Sequence, residues 1–261
     1  GAPEGVKGIS LFVVPKFMVD THGNPGARND VHCVSIEHKM GIKASPTAVL
    51  QYGDHGGAVG YLVGQENRGL EYMFIMMNAA RYAVGVQGIA ISERAYQKAV
   101  QYAKDRTQGK APGWTGSGMS PIIEHPDVAR MLVTMKALTQ GSRAICYVCA
   151  HATDMSHHAD GDEARYFAER AALLTPIAKS FATDAGVDVA SLGIQTHGGM
   201  GFIEETGAAR FWRDSRIAPI YEGTNGIQAA DLVTRKLPLS NGAHVRGFIA
   251  ELKEIVTHVR A

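Results

Sequence analysis

Three short segments carry the residues best suited to chemistry. The most informative is Tyr221-Glu222-Gly223-Thr224-Asn225-Gly226, which follows the apolar, Pro-containing run Ile217-Ala218-Pro219-Ile220. Its order places a carboxylate at a helix entrance, with Thr224 suited to cap and Gly223 able to let another group approach the backbone. A Glu there could serve a reaction, or only complement the positive end of the helix; spacing alone leaves both open. The second segment is Gln195-Thr196-His197-Gly198-Gly199-Met200-Gly201-Phe202. Three glycines in four residues suit a backbone that passes close to a phosphate or ring system and offers N–H groups to an anion. They also suit an ordinary helix end, and the strand that precedes a dinucleotide fingerprint is missing. The third is Tyr102-Ala103-Lys104-Asp105-Arg106, where Arg106 closes a long helix, either as dipole partner or as a phosphate ligand.

Other groups carry less. His151, His157 and His158 lie near a helix end without converging carboxylates, so no metal site is expected from them. Cys146 and Cys149 form a CxxC in a helical pattern without a second pair, which reads as buried thiols. Met73, Met76 and Met77 recur at helical spacing and read as core.

These segments must be positioned by two kinds of structure. Residues 7 to 63 alternate β-type runs, among them 9–15, 31–36 and 48–52, with turns at Gly23-Asn24-Pro25-Gly26 and Gly53-Asp54-His55-Gly56-Gly57. Four or five strands of an antiparallel sheet are expected, incomplete at its amino end. From Glu66 the apolar spacing becomes helical. Helices are expected over about 66–106, 125–159, 162–195, 204–212, 224–236 and 242–259, three long ones and a shorter fourth suiting an antiparallel bundle. Residues 109–118 are rich in Gly and Ser and read as a mobile surface loop.

The 261 residues carry 26 Lys and Arg against 25 Asp and Glu, a formal net charge of +1, without a basic block that could neutralise a run of phosphates. Nucleic acid is therefore not an expected partner. Apolar stretches are broken before the roughly 20 residues that span a bilayer, and the start lacks signal-peptide regions. The chain reads as a soluble, non-exported protein.

In this order the segments resemble the carboxyl-terminal half of an acyl-CoA dehydrogenase. Tyr221-Glu222-Gly223-Thr224 is similar to the family's base motif, and Gln195 with Gly198 and Gly199 to its QxxGG flavin motif. Lys7-Gly8-Ile9-Ser10-Leu11-Phe12 and 37–45 resemble late strands of the family's middle domain. The resemblance implies an α+β, mostly α chain: part of an antiparallel β-domain at 1–65, a four-helix bundle at 66–240, and a linker helix at 241–261 toward a further domain. It implies that Glu222 removes the α-proton of an acyl-CoA thioester while the β-hydrogen leaves as hydride to FAD. It places Arg106 at the FAD pyrophosphate of a neighbouring subunit, Gln195, Gly198, Gly199, Thr224, Asn225 and Gly226 at the flavin, and Asn78, Arg81, Tyr221 and Gly223 at the substrate.

Some branches of the family carry the base just before an Arg that looks like Arg81; here that position is Ala80. Two departures touch the flavin loop: the usual Phe-Gly is reduced to Gln108-Gly109, and a common Gln is replaced by Pro126. The stretches 73–87 and 121–136 look closest to a subgroup acting on 3-(methylthio)propanoyl-CoA or longer acyl-CoAs. Implied partners are acyl-CoA, electron-transferring flavoprotein and further copies in a homodimer or homotetramer, and the implied location is the cytoplasm, or the mitochondrial matrix in a eukaryote. An acyl-CoA oxidase, a nitroalkane-oxidase-like enzyme and a noncatalytic helical assembly module are the alternatives. The 261 residues are expected to be a fragment that folds and self-associates but holds FAD weakly or not at all.

Overall fold

The computed structural model describes residues 1–260. The chain forms two compact units, Gly1–Ala79 and the chain from Ala80 onward. That division falls inside the first long helix, α1 (Gly69–Asp105), rather than at 65. The reason is local: the Gly69 amide donates to the Ile9 carbonyl at 2.8 Å, and a Cβ on Gly69 would stand 2.6 Å from Leu11 N, so the first turns of α1 belong with the strands.

The first unit holds six short strands in three antiparallel pairs, not one sheet of four or five. β1 (Leu11–Val13) pairs with β6 (Tyr61–Val63), β2 (Phe17–Val19) with β3 (Pro25–Arg28), and β4 (Val31–Ile36) with β5 (Ala48–Tyr52). The extra strand arises because the first turn sits earlier than expected. Asp20 accepts from the amides of His22 and Asn24, each at 2.8 Å, closing the turn before Pro25. Buried Asn29 ties the pairs together, donating to the Pro15 and Val59 carbonyls at 2.9 and 2.8 Å and accepting from Val59 N at 3.0 Å. Many strand side chains stay exposed, among them Phe12, Val13 and Ile36. Met76 is exposed as well, which corrects its assignment to core.

In the second unit α1 continues beside α2 (Pro126–His158) and α3 (Gly161–His197), and the segment Asn225–Lys236 completes the four-helix bundle. The Gly207 backbone, at φ +73°, delays the next helix, α4, to Ala208–Ser215, after two single 3₁₀ turns. The fourth bundle helix divides into α5 (Asn225–Asp231) and a π-helical turn, Leu232–Lys236. α6 spans Ala243–Arg260.

Small residues let α1, α2 and α3 close on one another. Ala95, Ala99 and Ala103 of α1 pack with Leu132 and Met135 of α2 and Val189 and Ala190 of α3. Farther along, a Cβ on Gly88 would stand 2.3 Å from the Ala182 carbonyl oxygen. By length and composition alone α1 is long and apolar enough to cross a membrane, with an 18-residue window of mean hydropathy 1.2 of which 28% is buried.

Cys146 and Cys149 are buried free thiols in that core. Burial pushes Cys146 up to about 11 and Cys149 in the same direction, so both stay protonated and inert. The 109–118 loop is exposed for most of its length, yet Ser120 pins its base by accepting from the Ala111 amide at 2.9 Å.

Candidate active site

The Glu222 segment is a strained turn held from three sides. Glu222 has φ +53° and Gly223 φ +81°, two successive left-handed residues ahead of α5. Thr224 caps that helix, its hydroxyl accepting from the Ile227 amide at 3.2 Å. The half-buried Glu222 carboxylate and its own amide make no hydrogen bond among the described residues. A group free to act therefore sits on a backbone that is anything but free.

The anchors come from α3, α5 and α1. Lys179 of α3 is fully buried, and its ammonium donates to the Gly223 carbonyl at 2.9 Å and to Asn225 Oδ1 at 2.8 Å. Asn225 donates in turn to Asp184 Oδ1 at 2.8 Å and Thr183 Oγ1 at 3.0 Å. Gln228 of α5, also fully buried, donates to the Gly223 carbonyl at 3.1 Å. Arg81 of α1 pairs with Asp231 of α5 at 3.4 Å, and its buried Nε has no partner among the described residues. That guanidinium reaches to 3.5 Å from where a Gly223 Cβ would be. The Tyr221 hydroxyl donates to Gln87 Oε1, and burial holds its phenol above the usual range.

Arg106, Gln195, Gly198 and Gly199 come together elsewhere in this unit, around a cleft of about 740 Å³. Arg106 is exposed and its guanidinium has no partner among the described residues. Nothing lies within 4 Å of a Cβ built on Gly198 or Gly199, so their backbone is open to a ligand. His197, just before them, is buried, stacked on Tyr102 at 4.4 Å, and bonded through Nδ1 to the Gly193 carbonyl at 2.6 Å. Its burial lowers its pKa, so the ring serves as a neutral floor to the cleft.

Of the residues expected at the substrate, Arg81, Tyr221 and Gly223 converge on the Glu222 turn, whereas exposed Asn78 belongs to the first unit. Asn225 has its side chain committed to α3, which leaves only its backbone for a ligand. Sequence reasoning missed Lys179, Gln228, Gln87, Asp184 and Asp231. One signal was present: a lysine amid the small and apolar residues Ala178, Ala182, Thr183 and Gly186, on a helix face that should be core.

In the first unit, donor atoms of Asp30, His32 and His55 lie within 4.8 Å of one another. Asp30 is engaged in closing the β5–β6 connection, accepting from the His55 amide at 2.6 Å and the Gly57 amide at 3.2 Å. His151, His157 and His158 do not converge; His151 meets Phe167 edge-on and His158 bonds the Asp154 carbonyl.

The acyl-CoA dehydrogenase C-terminal domain family matches residues 67–237, and the chain belongs to the acyl-CoA dehydrogenase family. It is 55% identical to 3-methylmercaptopropionyl-CoA dehydrogenase of Ruegeria pomeroyi over 95% of this chain and 42% of that protein, in keeping with the subgroup expected. It is 38% identical to a broad-specificity linear acyl-CoA dehydrogenase of Mycobacterium tuberculosis over 96% of this chain and 43% of the relative. Among solved structures, Caenorhabditis elegans ACDH-11 in complex with C11-CoA matches with TM-score 0.75 and 28% identity, over 91% of this chain and 37% of that one. Butyryl-CoA dehydrogenase of Megasphaera elsdenii matches with TM-score 0.67 and 26% identity, over 88% and 52%. The chain thus spans less than half the length of these curated relatives.

Proposed function

We infer that this chain supplies the base and part of the flavin site of an FAD-dependent acyl-CoA dehydrogenase, which converts an acyl-CoA thioester to its trans-2-enoyl-CoA. The observation that carries the reading is the Glu222 turn, with an unpaired carboxylate on a pinned left-handed backbone. The α-proton of a thioester is weakly acidic, so its removal needs a positioned carboxylate and donors for the enolate-like oxygen. Glu222 is that carboxylate, and its own unpartnered amide is a donor in the same turn.

The residues present fit the flavin. Unpaired Arg106 and the uncovered Gly198 and Gly199 line a cleft open to an anionic group, with Gln195 on its wall. Arg106 would neutralise phosphate charge there, and Thr224, the Asn225 backbone and Gly226 would border the ring side. Bound FAD supplies the acceptor for the β-hydrogen. Electron-transferring flavoprotein would reoxidise it, and further copies of the chain would complete a dimer or tetramer. The acyl group proposed first is a short thioether chain, because the 55% identical relative is named for 3-methylmercaptopropionyl-CoA.

The test is Glu222→Gln in the intact, flavin-loaded protein. Flavin and thioester binding should persist while substrate-driven bleaching of the flavin is lost, because the shape stays and only the proton acceptor goes. A bleaching rate within about tenfold of the parent would move the base elsewhere.

A further inference from the structure

We propose that Lys179 is the positioning residue for the base: it locks the Glu222–Gly223 turn in its left-handed form and holds a positive charge whose field reaches the carboxylate. This rests on Glu222 being the base.

The argument begins with the Gly223 carbonyl. An acceptor of this kind has two lone pairs, and both are taken by buried donors, Lys179 Nζ at 2.9 Å and Gln228 Nε2 at 3.1 Å. The peptide after Glu222 cannot rotate without stranding both. Lys179 also grips Asn225 at 2.8 Å, so one side chain holds the residues on both sides of the Thr224 cap. Asn225 is fixed in turn by Thr183 and Asp184, one turn farther along α3. A left-handed non-glycine residue persists only where its surroundings over-determine it, and this lattice does so at Glu222.

Hydrogen bonding alone does not call for lysine. An ammonium is costly to bury unless charges answer it, and the charged groups facing this one come from several elements. Asp184 on α3 and Glu222 in the turn favour its charged form, while Arg81 on α1, itself paired with Asp231 of α5, disfavours it. Burial outweighs the rest and pushes Lys179 down to about 8. Lys179 therefore carries its charge at neutral pH and loses it as the pH rises through that value. The proton-abstraction step should register the loss as an alkaline inflection.

The experiment compares Lys179→Met and Lys179→Arg with the parent in the intact, flavin-loaded protein, following flavin reduction by acyl-CoA across pH. Lys179→Met should slow reduction by about a hundredfold, with flavin content and thioester affinity near parental values, and should abolish the inflection near pH 8. Lys179→Arg, always charged, should restore part of the rate and also lack the inflection. The Lys179→Met structure should show Glu222 relaxed to negative φ. A parental rate and pH profile in Lys179→Met overturns the proposal, as does an unmoved Glu222. Should Lys179→Met fail to fold, Lys179→Arg decides alone, and an unchanged inflection there overturns it. Glu222→Gln separates the two readings: if that variant still reduces its flavin, the base assignment falls, whereas an inactive Glu222→Gln beside a parental Lys179→Met sinks only the role of Lys179.

Discussion

Gly223 and Gln228 are fitted to each other so closely that a Cβ on Gly223 would stand 2.7 Å from Nε2 of Gln228. Gln228 is 1% exposed and has nowhere to retreat. With Gly223 at φ +81°, Gly223→Ala meets both strain and overlap, and should cost about 1–3 kcal/mol. Urea unfolding of the chain measures this; an unchanged midpoint would show that the turn relaxes freely.

Arg81 and Asp231 form a buried pair, their side chains 7% and 3% exposed. Arg81→Leu alone leaves Asp231 supported only by the more exposed Arg235 and should destabilise by about 3–5 kcal/mol. The double replacement Arg81→Leu with Asp231→Leu should cost less than Arg81→Leu alone. Chemical denaturation of these two variants and of Asp231→Leu alone checks this, and additive losses would contradict it.

Lys179 also links folding to pH. Its folded value, about 8, lies below the ordinary lysine value of 10.5. Between these values the unfolded chain binds more protons, so stability rises with pH across that window. Relative to Lys179→Met, the parent should gain up to about 3 kcal/mol from the lower to the upper limit. A difference that stays flat with pH would place Lys179 at its ordinary value.

Gly88 and Gly186 let α1 and α3 approach closely, a Cβ on Gly186 lying 3.3 Å from Gly88 Cα. Gly88→Ala must push the helices apart and should cost about 1–3 kcal/mol. Thermal unfolding reports it, and a parental midpoint would mean that the helices adjust without loss.

The cleft residues should behave in the opposite way. Gly199→Val adds bulk where nothing lies within 4 Å, so folding should be unaffected while FAD binding weakens. Arg106→Ala should lose about 1.5–3 kcal/mol of flavin affinity by removing a charged contact, again at constant stability. Flavin titration of the intact protein beside a melting curve tests both, and parental affinity in both variants would take the flavin away from this cleft.

Much of the local structure was legible because it depends on neighbours in sequence. Thr224 caps α5 as its position ahead of the helix required, and the change from period two to period three or four separated strands from helices. The hairpin near Pro25 was misplaced because an Asp20 side chain, rather than the Gly and Pro residues, closes the turn. The mobile loop at 109–118 was a reading of composition that could not foresee Ser120 beneath it.

By itself, the sequence determined the long helices, through local apolar spacing, and the family, through an ordered set of motifs; it marked Glu222, Gln195, Gly198, Gly199 and Arg106 only as candidates. The tertiary structure alone decided what holds the Glu222 turn. Lys179 lies 44 residues from Gly223, and Gln87 lies 134 from Tyr221. No periodicity records which polar side chain on a buried face will meet which backbone carbonyl, because that is settled only when α1, α3 and α5 pack and leave each buried donor to find an acceptor.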